Sequence, residues 1–130
     1  MSSAACAPTI RSRKPQTGFV RGENIAARYV RSTLGYKLLT RNFQIEGGEV
    51  DIIARDGKTL VFIEVKTRRG RGSPWDALGA EKQGRVRRMA ISYLSETDRP
   101  TSANLRFDAI GIVFDARGRL VSLEHLEGAF

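Results

Sequence analysis

The chain contains one cysteine, Cys6, and one histidine, His125. A lone cysteine excludes an internal disulfide framework and a thiolate zinc site. A lone histidine near the C-terminal end leaves Ser-His-Asp chemistry a single base to draw on. Any bound metal must therefore be a hard cation held by oxygen ligands, magnesium-like or calcium-like. Long apolar runs are missing too. Stretches such as Leu60 to Ile63 are a few residues long, whereas a spanning helix needs about 20. No apolar segment near the N-terminus resembles a signal-peptide core, so the expected location is cytoplasmic.

What is present suits one domain: 130 residues, 41% apolar and 28% charged, an ordinary globular balance. Acid is in short supply. Fourteen Asp and Glu face 22 Lys and Arg, a net charge of +8, which attracts polyanions, nucleic acid or an acidic membrane surface.

Residues 1–21 carry Arg11, Arg13, Lys14 and Arg21, no acid and two prolines. They read as a disordered basic arm. Residues 22–126 read as a single α/β domain and 127–130 as a tail. From Gly22, Ile25, Ala26, Tyr29, Val30, Thr33 and Leu34 recur at helical steps, and Gly35 supplies a left-handed stop. Strands are expected over 36–45, 49–55 and 59–67, the last two joined across Asp56-Gly57. A Gly/Arg/Pro loop (68–74) leads to a second helix over about 76–95. Further strands follow over 105–114 and 119–126. The order is α-β-β-β-α-β-β.

Side chains on a strand alternate faces. A two-residue loop at Asp56-Gly57 would set Asp51 opposite Phe62 and Glu49 opposite Glu64, with Glu49, Asp51, Glu64 and Lys66 on one face. Opposed like charges on a covered sheet need compensation, which a divalent cation bridging Asp51 and Glu64 would supply. As diagonal neighbours their backbones would lie roughly 7 to 8 Å apart. Glu23 opens the first helix on the line of Ala26, Ala27, Val30 and Leu34, which aims it at the same end of the strands. Plainer readings stand beside these. Glu23 suits the positive end of any helix, Glu49 reads as an ordinary edge charge, and the trio Asp51, Glu64 and Lys66 would also suit a solvated strand face.

The runs G-E-V-D-I-I (Gly48 to Ile53) and V-F-I-E-V-K-T-R (Val61 to Arg68) resemble the YraN-like family of small bacterial proteins. G-E-N-I-A-A at Gly22, G-Y-K-L-L-T-R-N at Gly35 and R-F-D at Arg106 fit as well. The resemblance spans about residues 20 to 115. It implies a restriction endonuclease-like fold, similar to archaeal Holliday-junction resolvases, with a mixed central sheet flanked by helices and a D…E-x-K nuclease signature. By that resemblance Asp51 and Glu64 are the metal-binding acids, Lys66 is the signature lysine and Glu23 is the helix glutamate. The implied cofactor is Mg²⁺ or Mn²⁺. A homodimer is expected by analogy with resolvases.

Between Lys66 and Arg88 lie eight basic residues (Lys66, Arg68, Arg69, Arg71, Lys82, Arg85, Arg87 and Arg88) against Asp76 and Glu81. This stretch is the expected nucleic-acid surface, DNA ahead of RNA. Trp75 would stack on an unpaired base or else anchor the second helix. Lys82 would reach the site or snorkel to solvent. The resulting expectation is a magnesium-dependent endonuclease acting on DNA, with branched or damaged structures as candidate substrates. The alternatives are a non-catalytic nucleic-acid-binding accessory protein and a structural protein with an incidental acidic cluster.

Overall fold

Gly57 carries a left-handed backbone (φ 61°) and Lys58 does not, the pattern of a type II′ hairpin turn. The computed structural model of the chain describes residues 18–45, 48–77, 80–97 and 104–129, and this turn sets the register of its central hairpin. Helix α1 (Gly18–Arg28) runs into a wide helical turn (Tyr29–Thr33). Strands β1 (Lys37–Ile45), β2 (Gly48–Asp56) and β3 (Thr59–Arg69) follow. A short 3-10 turn (Pro74–Ala77) precedes helix α2 (Ala80–Glu96), and strands β4 (Asn104–Phe114) and β5 (Leu120–Leu126) complete the chain. The expected order of helices and strands is present. No described helix is long and apolar enough to cross a membrane.

The five strands form one mixed sheet in chain order, β1 to β5. Three pairings are antiparallel, and β3 runs parallel to β4 from Thr59↔Asn104 to Arg69↔Phe114. Helix α2 makes that parallel crossover. Each face then buries its own cluster. On one, Ala26 and Ala27 of α1 and Val30 of the wide turn pack with Ile52, Ala54, Val61, Ile63, Val65, Ile110, Ile112 and Phe114. On the other, Met89, Ala90, Tyr93 and Leu94 of α2 pack with Val50, Ile53, Leu60, Phe62 and Phe107. Covering both faces explains why the inner strands carry unbroken apolar runs. Each large side chain so buried stabilises the fold by about 1.5–3 kcal/mol.

Four expectations need correcting. The turn is centred on Gly57-Lys58, because Asp56 pairs with Thr59. The register therefore moves by two residues, and Ile52↔Ile63 replaces the expected diagonal arrangement of the acids. Asp56 is held outside the turn, where Arg106 donates to its Oδ2 at 3.2 Å. Second, α1 begins at Gly18, inside the stretch read as a disordered arm. Arg21 belongs to the fold: its guanidinium lies 4.6 Å from the Phe114 ring centroid and donates to the Gly118 carbonyl. Residues 1–17 of that arm lie outside the described residues. Third, α2 starts at Ala80, after the separate 3-10 turn. Fourth, the tail is tied down. The Gly128 N–H donates to Asp108 Oδ1 at 3.1 Å, and the Ala129 N–H donates to the Phe107 carbonyl at 2.8 Å.

Candidate metal centre

The paired backbone of β2 and β3 ends at Ile52↔Ile63. One residue further on, the side chain of Asp51 replaces the ladder: its Oδ2 accepts the Val65 N–H at 2.7 Å. Strict alternation also fails here, since Val50 and Ile53, an odd number of residues apart, share the α2-side cluster. Asp51 thus lies in the opening seam between two strands and is 8% exposed.

Helix α1 approaches this seam closely. A methyl group at Gly22 would collide with the Thr67 hydroxyl, so only glycine lets the first turns of α1 sit against β3. The next residue is Glu23. One carboxylate oxygen each from Glu23, Glu49 and Asp51 lie within 4.8 Å of one another.

Strand β1 completes the arrangement through Asn42, whose backbone is left-handed (φ 54°). Among the described non-glycine residues it alone has a positive φ, a conformation that costs energy and that asparagine tolerates best. Its amide nitrogen lies 3.2 Å from both Glu23 Oε1 and Glu49 Oε2, donating to each. Gln44 donates to Glu49 Oε1 at 2.8 Å. Two carboxamides from β1 therefore hold two of the acids in place.

Glu64 alternates with Ile63 and Val65 along β3, which puts it and Lys66 on the face of Leu60 and Phe62. Lys66 Nζ stands 3.4 Å from Glu64 Oε1, and both side chains are largely buried. Glu64 is close enough to act on Asp51. Burial and the Glu64 charge push the Asp51 carboxyl up to about 8 from 3.8, against the opposing pull of the Val65 N–H. Glu23 and Glu49 add to the rise.

Of the residues expected to form the site, Glu23 and Asp51 come together, and Glu64 and Lys66 form a pair beside them. Glu49, taken as an edge charge, joins the closest group. The sequence does not reveal this role, because it depends on the Asn42 kink; an asparagine within a strand pattern is the one hint.

The expected nucleic-acid residues have mixed placements. Arg68, Arg69 and Arg71 are exposed at the end of β3 and in the following loop. Arg68 Nε donates to the Arg71 carbonyl at 2.9 Å, and Arg69 donates to the Ala116 carbonyl at 2.9 Å. Arg88 is exposed on α2. Arg87 lies over Phe107, 5.3 Å from its ring centroid. Trp75 is anchored: its ring lies where a methyl at Gly111 would meet it at 2.7 Å, and its indole N–H donates to Glu124 at 3.2 Å. The side chains of Lys82 and Arg85 lie outside the described residues.

A second polar group, at the other end of α1, is not legible as a unit in the sequence. Asp108 is fully buried on β4. It accepts two bonds from Arg106, at 2.9 and 3.0 Å, and one from the Gly128 N–H, and its Oδ2 lies 2.7 Å from His125 Nε2. Arg106 also donates to the Tyr36 hydroxyl at 2.7 Å. The group ties β4, β5 and the chain end to the segment entering β1.

Comparison with known proteins places this geometry in a lineage. The family model described as "Uncharacterised protein family UPF0102" matches residues 22–112. A UPF0102 protein of Parafrankia sp. is 45% identical over 111 residues, covering 84% of this chain and 92% of the relative. One from Geobacter sulfurreducens is 46% identical over 116 residues, covering 85% and 86%. One from Nocardia farcinica is 40% identical over 111 residues, covering 84% and 85%. The matched span runs from the glycine that admits α1 to near the end of β4, taking in every acid of the candidate centre, and the chain belongs to UPF0102, the YraN-like family.

Proposed function

We propose that this protein is a divalent-metal-dependent nuclease acting on DNA. The observation that carries the reading is the convergence of Glu23, Glu49 and Asp51 within 4.8 Å, with Glu64 and Lys66 beside them. The donor set fits magnesium or manganese, since it consists of carboxylate oxygens with no sulfur or imidazole. Burial and the neighbouring negative charge of Glu64 make the ionised form of Asp51 costly, a cost that a bound cation would offset.

Asp51, Glu64 and Glu23 would hold the ion, with Glu49 as a further donor. A bound cation of this kind acidifies water and neutralises phosphate charge. Lys66, paired with Glu64, supplies fixed positive charge where negative charge develops on a phosphate. Asn42 and Gln44 fix the direction of the carboxylates, so less reorganisation is needed. Arg68, Arg69, Arg71 and Arg88 would contact the backbone of the nucleic acid. The strand order, with Asp51 and Glu64-Val65-Lys66 on neighbouring strands, agrees with the restriction endonuclease-like signature that the motifs imply.

Labelled junction, flap and single-stranded DNA, incubated with magnesium or manganese, test the proposal against an Asp51→Ala variant. Metal-dependent cleavage that the variant loses supports it. DNA binding with no cleavage under any metal would instead make the protein a nucleic-acid-binding accessory factor.

A further inference from the structure

The arginines beside the candidate centre come from three separate segments. Arg21 lies in the first turns of α1. Arg68, Arg69 and Arg71 lie at the end of β3 and just beyond. Arg117 and Arg119 lie in the turn between β4 and β5, and all six are exposed. The contacts show that they share one rim. Arg21 donates to the Gly118 carbonyl and Arg69 to the Ala116 carbonyl, so two guanidiniums converge on the β4–β5 turn. A methyl at Gly118 would lie 3.6 Å from Arg69 Nη2 and 3.7 Å from Arg21 Nη1. The acid within that turn is Asp115, whose Oδ1 accepts the N–H groups of Arg117 and Arg119 and whose Oδ2 lies 3.4 Å from Arg119 Nε. Like charges this close repel, and a phosphate backbone would offset that repulsion.

The make-up of the rim also bears on the kind of nucleic acid it would suit. Unpaired strands are held largely by aromatic platforms. The exposed large apolar residues among those described are Val20, Ile91, Leu120, Val121 and Leu126, none aromatic. Trp75 is anchored on β4, and Phe114 is buried under Arg21. An arginine rim with no exposed aromatic among the described residues suits the regularly spaced phosphates of a duplex.

We infer that the β4–β5 turn, through Arg117 and Arg119, is a second phosphate-contacting element that grips a double-stranded arm of the substrate. The inference rests on the nuclease reading and adds the arm to it. From Glu64 to Arg69 along β3 is roughly 16 Å at strand spacing. At 3.4 Å per base pair, the turn meets the duplex about five base pairs from the metal centre.

The test measures binding to metal-free protein, so it does not depend on cleavage. Full-length native chain and an R117Q/R119Q variant are titrated with flap duplexes at several salt concentrations, using fluorescence anisotropy. The variant should lose about 1 to 2 from the slope of log affinity against log salt, and R117K/R119K should retain it. Shortening the duplex arm below about five base pairs should bring the native chain to the level of the R117Q/R119Q variant. A native chain that binds flap duplexes steeply with salt, matched by R117Q/R119Q, would overturn the role of the turn and leave the nuclease reading standing. Equal loss of slope on single strands would overturn the duplex assignment. A native chain that binds no nucleic acid at low salt would defeat both readings together.

Discussion

Asp51 accepts the backbone N–H of Val65 at 2.7 Å, so a side chain stands where the β2–β3 ladder would otherwise place a carbonyl. The Asp51 carboxyl holds the seam together, while burial among other acids makes its ionised form costly. Asp51→Asn keeps an acceptor for Val65 and removes the need to take up a proton on folding at neutral pH. Without metal, the variant should be more stable than native at pH 7, by on the order of 2 kcal/mol. It should also lose divalent-cation binding. Thermal melts with and without magnesium check both outcomes.

The same residue sets a pH dependence. Its carboxyl stands at about 8 in the folded chain against 3.8 as its ordinary value. Between those limits the folded chain holds a proton that the unfolded chain has released, so metal-free stability falls as pH rises through this window and then levels. A cation must displace that proton. Magnesium affinity should therefore climb with pH up to about 8. Calorimetry in buffers of different ionisation heat should detect about one proton released per ion at pH 6.

Asn42 holds Glu23 and Glu49 from a left-handed backbone. Asn42→Gly relieves the backbone cost and deletes the amide, so it should fold normally yet bind manganese about tenfold more weakly. Asn42→Ala loses the same contacts and also meets the strain. It should melt below the glycine variant by a difference of about 1 kcal/mol. Metal titration and melting of the two variants side by side separate positioning from folding.

Asp108 satisfies Arg106, His125 and Gly128 at once from a fully buried position. Asp108→Ala leaves the Arg106 charge without its main partner, which should cost about 3–5 kcal/mol. The loss should appear in denaturant melts whether or not metal is present, because this group lies at the far end of α1 from the acids.

The strands and helices were readable because β-branched runs are broken by turn residues and both faces of the sheet are covered. The register was not, since D-G offers two turn centres, and Arg106, fifty residues away, helps hold Asp56 outside the turn. That Glu23, Asp51, Glu64 and Lys66 lie near one another was readable from spacing and resemblance. Glu49 required the conformation of Asn42, which no local pattern specifies. Arg21 looked like part of a basic arm because its partners, Phe114 and Gly118, come from the other end of the chain. The Asp108 group was hidden for the same reason.

The parallel pairing of β3 with β4 has a consequence for how the protein is made. Glu23, Glu49, Asp51, Glu64 and Lys66 all leave the ribosome before Asn104, the first residue of the strand that lines β3 along its whole length. The nascent chain therefore carries its cluster of mutually repelling acids while one edge of β3 is still unpaired. The middle of the sheet closes only when β4 arrives, and long-range parallel pairing of this kind is slow. Chaperone dependence during translation should accordingly ease in chains freed of that repulsion, such as those carrying Asp51→Asn.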